Sequence, residues 1–210
     1  FEQYPRDFES DMEKLKNEDV DILFMPDIKT IYPEGFSTFV EVKGLSDRLC
    51  GAFRPDHFMG VATVVTKLFN IVMPHRAYFG QKDYQQTLII KRMVNDLNMN
   101  IEINTCPIVR EQDGLAMSTR NTYLNPEERK AATIIYKTLT YISQNIKSGN
   151  LTVFEANKIM KDMLSSEPLV TEIQYAGIYD VETLDPLKEL KDQNLLAIAL
   201  KIGNTRLIDN

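Results

Sequence analysis

The sequence predicts an α/β fold, with a parallel-sheet domain over residues 1–109 followed by a smaller α+β domain over residues 110–210. Three observations carry this reading. Short apolar runs that suit buried strands alternate with longer stretches whose apolar residues recur every three to four positions. At Phe79-Gly80-Gln81 a glycine turn joins a strand directly to a helix, the unit from which parallel sheets are built. Beyond Arg110 the texture changes to helical stretches followed by apolar strands. With 210 residues, 43% of them hydrophobic, the chain can bury a substantial core.

Taken in order, Phe8 to Asn17 places Phe8, Met12 and Leu15 at helical spacing, and Val20 to Met25 (VDILFM) reads as a short buried strand. Pro26 and Asp27 break the run, residues 31–36 form a loop, and Thr38 to Val42 alternates as a β segment. After a loop at 48–56, the apolar spacing from Phe58 to Val72 predicts a helix that Met73-Pro74-His75 ends. Arg76 to Phe79 is a short buried strand, Tyr84 to Leu97 the next helix, and Asn100 to Val109 another strand. Asn125-Pro126-Glu127-Glu128 combines an N-cap, a proline at the first helical position and acids in the first turn, so a long helix should run to about Ile146. A helix over 150–165 and strands over 169–179 and 195–202, the latter closed by a Gly203-Asn204 turn, complete the second domain.

Composition excludes several classes. No run of 18 or more apolar residues occurs, so no membrane helix is expected, and Phe1 to Arg6 has neither the basic start nor the apolar middle of a signal peptide. A net charge of −6 works against general nucleic-acid binding, so any anion site must be local. Cys50 and Cys106 lie outside any zinc-ligand spacing and read as reduced, partly buried thiols. His57 and His75 are the only histidines, and no nucleophile motif accompanies them.

Two stretches carry chemistry. In Tyr78 to Gln86 a glycine, a lysine, an aspartate and a glutamine stand where strand passes into helix, at the carboxyl edge where ligands bind in parallel sheets. Gly80 permits close backbone approach, Lys82 can neutralise phosphate, Asp83 can accept from ribose hydroxyls and Gln86 can bond a polar substrate. The same spacing also fits a turn with a solvated helix cap. In Val109 to Arg120, a glycine-containing loop ends in two hydroxyls and a guanidinium, groups that suit a triphosphate. An inter-domain linker with a surface arginine has the same texture.

Together FGQKDYQQ, RPDHFMGVATVV and REQDGLAMSTRN resemble the pantothenate synthetase (pantoate–β-alanine ligase) family nearly end to end. The resemblance implies a Rossmann-like ATP- and pantoate-binding domain, here N-terminally incomplete, with a smaller C-terminal lid. It also implies a cytoplasmic homodimer on the route to coenzyme A. By position, Gly80, Gln81, Lys82 and Asp83 would line the ATP site, Val109 would contact adenine and Gln86 would bind pantoate. Met117, Ser118, Thr119 and Arg120 would form a mobile phosphate-binding element, in which Thr119 replaces a more usual serine and keeps the hydroxyl. Lys82, Ser118 and Arg120 would be catalytic, and His57 is expected to pack or hydrogen-bond. The family's MGxLHxGH-type segment does not occur in these 210 residues. The expectation is therefore that this chain alone is impaired or inactive.

The implied reaction uses ATP with Mg²⁺. Pantoate is activated as pantoyl adenylate with release of pyrophosphate, and the amine of β-alanine then displaces AMP. Two other readings keep the same residues: a different adenylyl- or nucleotidyltransferase of this fold, and a non-catalytic binding or dimerisation fragment.

Overall fold

The computed structural model describes Asp7 to Asn210, so the reading of Phe1–Arg6 falls outside the described residues. The chain divides into two compact units, Phe1–Thr38 and Phe39–Asn210. In the first, helix α1 (Phe8–Asn17) starts at Asp7, whose carboxylate accepts from Ser10 N–H, and a single helical turn, α2 (Ile28–Ile31), starts at Asp27, which accepts from Thr30 N–H. The strand expected over Val20–Met25 is absent. Among the described residues no strand pairs with this run, and Ile22 is 83% exposed. An apolar segment becomes a strand only when a neighbour takes its backbone hydrogen bonds.

The second unit contains α3 (Cys50–Phe53), α4 (His57–Val72), β1 (Arg76–Gly80), α5 (Tyr84–Asp96), β2 (Glu102–Cys106), α6 (Pro126–Ala131), α7 (Ile134–Lys147), α8 (Val153–Ser165), β3 (Val170–Tyr179), β4 (Leu195–Ile202) and β5 (Thr205–Asp209). β1 and β2 pair in parallel through the α5 crossover, with Ala77 opposite Ile103 and Gly80 opposite Cys106. β3, β4 and β5 form an antiparallel sheet with β4 in the centre.

Several elements differ from the expected ones for identifiable reasons. Residues 39–42 are not a strand, because the Val40 N–H donates to Thr63 Oγ1 of α4 (2.9 Å) rather than to a ladder. The predicted long helix breaks into α6 and α7 where Thr133 Oγ1 donates back to the Lys130 carbonyl at 2.8 Å. α6 begins as expected at Asn125, which forms a reciprocal capping box with Glu128. β1 is half-buried rather than buried: Ala77 and Phe79 face the core while Tyr78 is 65% exposed. β5 has no counterpart among the expected strands. Both cysteines are free thiols, but Cys106 is exposed, not partly buried.

Two cores fill this unit. One joins α7 and α8 to the antiparallel sheet through Ile135, Ile142, Met160, Leu164, Ile198 and Leu200. The other gathers Phe58, Ala62, Ile89, Ile90 and Met93 of α4 and α5, and it extends to Leu184, Leu195 and Ala197. β4 therefore contributes to both cores, and its Ile198 is fully buried between sheet and helices. Truncating Ile198 to alanine is expected to lower unfolding stability by about 2–5 kcal/mol. The check is a urea titration whose midpoint falls at unchanged slope.

Candidate anion-binding site

β1 ends at Gly80, and the next three residues, Gln81 to Asp83, make one 3₁₀ turn before α5. This turn is fixed from two directions. The carbonyls of Gln81 and Lys82 both accept from the Asn210 side-chain amide, at 3.0 and 2.9 Å. On the inner side Gln85 is buried, its amide donating to the carbonyls of Leu45 (2.8 Å) and Arg48 (2.7 Å) while its oxygen accepts from Cys50 N–H. One glutamine thus anchors the 45–50 segment that leads into α4.

The loop after β2 folds back on itself as a short hairpin. Arg110 bridges to Ala116, the Met117 N–H donates to the Val109 carbonyl at 2.9 Å, and Gly114 occupies a left-handed conformation with φ of +91°. A side chain at Gly114 would overlap the Tyr136 ring, over which the Arg110 guanidinium lies at 4.5 Å. Arg129 of α6 clamps the loop through Glu111 at 2.7 Å and Asp113 at 2.8 Å. Those bonds hold both carboxyls below their ordinary range and raise the guanidinium above its own. The stem of the loop is consequently fixed, and Ser118 to Arg120 follows it, with Asn121 tied back to Glu111 and the Ala116 carbonyl. Ser118 Oγ accepts from Arg120 N–H (3.2 Å) and so starts the 3₁₀ turn Thr119–Tyr123.

A narrow crevice of about 10 Å³, room for about one water, brings the two sequence motifs together. Lys82, Ser118, Arg120 and Asn121 line it with Arg206 and Asp209 of β5. Other predicted residues lie elsewhere. Gln81 lines a separate hollow with Arg110 and Tyr136, Gln86 is half-buried farther along α5, and Gly80, Val109, Met117 and Thr119 are exposed. Asp83 is exposed beside the cleft and acts electrostatically on Arg54 and His57.

Arg54, His57 and Arg206 were not assigned to such a site from sequence. Arg54 Nη1 and His57 Nε2 are 2.9 Å apart at the start of α4. Burial and then the charges of Arg54, Arg120 and Arg206 push His57 down to about 4. Burial likewise lowers Arg54, with Arg120 and Arg206 adding to the effect. Among the described residues, none of Arg54, Lys82, Arg120 and Arg206 forms an ion pair, whereas Arg48, Arg76, Arg110 and Arg129 each do. A concentration of unpaired cations in a chain of net charge −6 is what an anion site requires. The signal available in sequence was the RPDHF stretch, but its arginine reaches Arg206 only through the fold.

A family model described as pantoate-β-alanine ligase matches residues 1–210. The chain is 60% identical over 210 residues to the pantothenate synthetase of Thermodesulfovibrio yellowstonii, covering all of this chain and 75% of that protein. It is 52% identical to that of Acetivibrio thermocellus, again across the whole chain and 74% of the relative. A crystal structure of pantothenate synthetase from Thermus thermophilus superposes with a TM-score of 0.95 at 44% identity, covering 99% of this chain and 75% of that one. A Francisella tularensis pantoate-β-alanine ligase complexed with β-γ ATP and β-alanine gives a TM-score of 0.75 at 33% identity, covering 98% and 70%. The chain thus spans about three quarters of the length of its relatives. On matches that extend over its full length, this chain belongs to the pantoate-β-alanine ligase family, enzymes that form a carbon–nitrogen bond.

Proposed function

We propose that the protein uses ATP to join pantoate to β-alanine through a pantoyl-adenylate intermediate, with the side chains of Lys82, Ser118 and Arg120 that surround the crevice binding the phosphates. The observation that carries this is the convergence of unpaired cations on one cleft, alongside membership of the ligase family. The Francisella relative, solved with a nucleotide and β-alanine, supports the choice of co-substrate.

The chemistry explains why a cationic cleft is needed. A carboxylate is a poor acyl donor because oxide leaves badly. Transfer of an adenylyl group to the pantoate oxygen breaks the bond between the α-phosphate and pyrophosphate and gives the acyl carbon a good leaving group. Charge accumulates on the departing pyrophosphate, where Lys82 and Arg120 would neutralise it and the Ser118 hydroxyl would donate a hydrogen bond. The amine of β-alanine then attacks the acyl carbon, and AMP leaves with the bonding pair. Gly80, Gln81 and Asp83 would border the nucleotide, Val109 the adenine, Met117 and Thr119 the edge of the phosphate site, and Gln86 the pantoate. In this reading residues 1–109 form the ATP- and pantoate-binding domain and residues 110–210 the lid, in a cytoplasmic homodimer.

Among the described residues no group of three or more His, Cys, Asp or Glu side chains converges, so an all-protein metal cage does not fit here. Mg²⁺ enters the proposal bound to the triphosphate of the co-substrate, as is usual for an ion that keeps water and phosphate ligands. No helix among the described residues is long and apolar enough to cross a membrane.

Binding measurements test the reading without requiring turnover. Lys82→Ala is expected to weaken ATP by at least about tenfold, the scale of one charge-assisted hydrogen bond. Gln86→Ala is expected to weaken pantoate while ATP binding holds. Calorimetric titration of each variant checks both, and equal losses for the two ligands in Gln86→Ala would instead favour another nucleotidyltransferase. His57 supplies a third test. Its folded value near 4 lies below the ordinary 6.5, so the stability tied to its neutral form is complete above pH 6.5 and declines as pH falls towards 4. Pyrophosphate in the cleft would offset the cationic repulsion and raise the titration midpoint of the ring. Imidazole NMR with and without pyrophosphate measures it, and an unmoved midpoint would contradict anion binding beside His57.

A further inference from the structure

We propose that Arg206, on the last strand of the antiparallel sheet, is an additional phosphate-binding residue that acts with Lys82, Ser118 and Arg120 around the same crevice. The inference rests on the phosphate reading of that cleft and extends it to a strand that no sequence motif marked.

Four observations support it. Arg206 lines the cleft together with Lys82, Ser118 and Arg120. Its guanidinium is aimed by two bonds: Nε donates to Gln174 Oε1 of β3 at 2.7 Å, and Nη2 donates to Cys50 Sγ at 3.2 Å. Neither partner is a carboxylate, so the charge is oriented without a direct ion pair, Glu172 acting on it only through space. Nη1 makes no hydrogen bond or ion pair within the described residues, which leaves donors for a ligand. A surface arginine kept only for solubility would not be held in this way, and a structural arginine would be expected to have an acidic partner, as Arg110 does in Asp209 (2.6 Å).

The surroundings are built to hold that position. Cys50 is buried and its thiol also lies 3.0 Å from the Tyr175 hydroxyl. Glu172, which Lys201 engages at 2.6 Å, acts on Arg206 only through space and forms no ion pair with it. Gln174 Nε2 donates to Glu172 Oε1 (3.1 Å), which turns the amide oxygen towards Arg206. A planar guanidinium oriented in this way presents two parallel N–H groups, the geometry that matches phosphate oxygens.

Inorganic pyrophosphate titrated into the 210-residue chain tests the assignment. Arg206→Gln is expected to weaken pyrophosphate by at least about tenfold with pantoate affinity unchanged, and Arg206→Lys to recover it to within about threefold. In the unsubstituted protein the Arg206 Nη–H resonance, assigned through bonds, is expected to shift on saturation. This second readout holds even if Arg206→Gln fails to fold. A stationary resonance, or full pyrophosphate affinity in a folded Arg206→Gln, overturns the inference; if Lys82→Ala still weakens pyrophosphate, the phosphate reading survives. Loss of pantoate binding alone in Arg206→Gln would assign the guanidinium to the substrate carboxylate and overturn it as well. If neither Lys82→Ala nor Arg206→Gln weakens pyrophosphate, the phosphate reading falls with it.

Discussion

The ion pair between Arg110 and Asp209 is the constraint on which the candidate site depends. Asp209 is almost fully buried and Arg110 meets it with two nitrogens, at 2.6 and 3.0 Å. Next to it, Asn210 ties the Gln81–Lys82 turn. A single point at the end of β5 thereby fixes the glycine turn after β1 and the hairpin after β2. Removing either partner would leave a buried charge without compensation, a cost of about 3–5 kcal/mol in comparable cases. It would also release the two segments that carry Lys82 and Arg120.

This arrangement explains what the sequence revealed and what it concealed. Elements defined by local chemistry were legible: the Asn125-Pro126 cap, the apolar spacing of α4 and α5, and the strand–glycine–helix passage at Gly80 all depend on residues a few positions apart. Elements defined by distant partners were not. Val20 to Met25 has strand composition and no strand pairing, and residues 39–42 gave their backbone bond to a threonine on a helix. β5 stayed hidden although Gly203-Asn204 reads as a turn, because its polar Thr205, Arg206 and Asp209 mask a short strand.

The site shows the same division. Lys82, Ser118 and Arg120 stood out in two motifs, and the fold brings them to one cleft. Arg54 and Arg206 are far from those motifs in sequence and become neighbours only when β5 meets α3, where Arg206 bonds Cys50 and Arg54 caps the helix. Gln85 and Gln86 are a sharper case. Identical side chains in adjacent positions have separate environments, since a helix turns successive residues about 100° apart. Gln85 faces inward and spends its whole amide on the backbone of 45–50.

The cation cluster also bears on how fast a polyanion could arrive. The chain as a whole is negative, so at low ionic strength its distant carboxylates repel an approaching phosphate compound while the cleft attracts it. At physiological salt the screening length is about 8 Å, short enough to silence the far carboxylates and still long enough for cations within the cleft to act together. Encounter is then governed by the cleft and not by the net charge, and moderate salt favours capture where a uniformly basic surface would lose it.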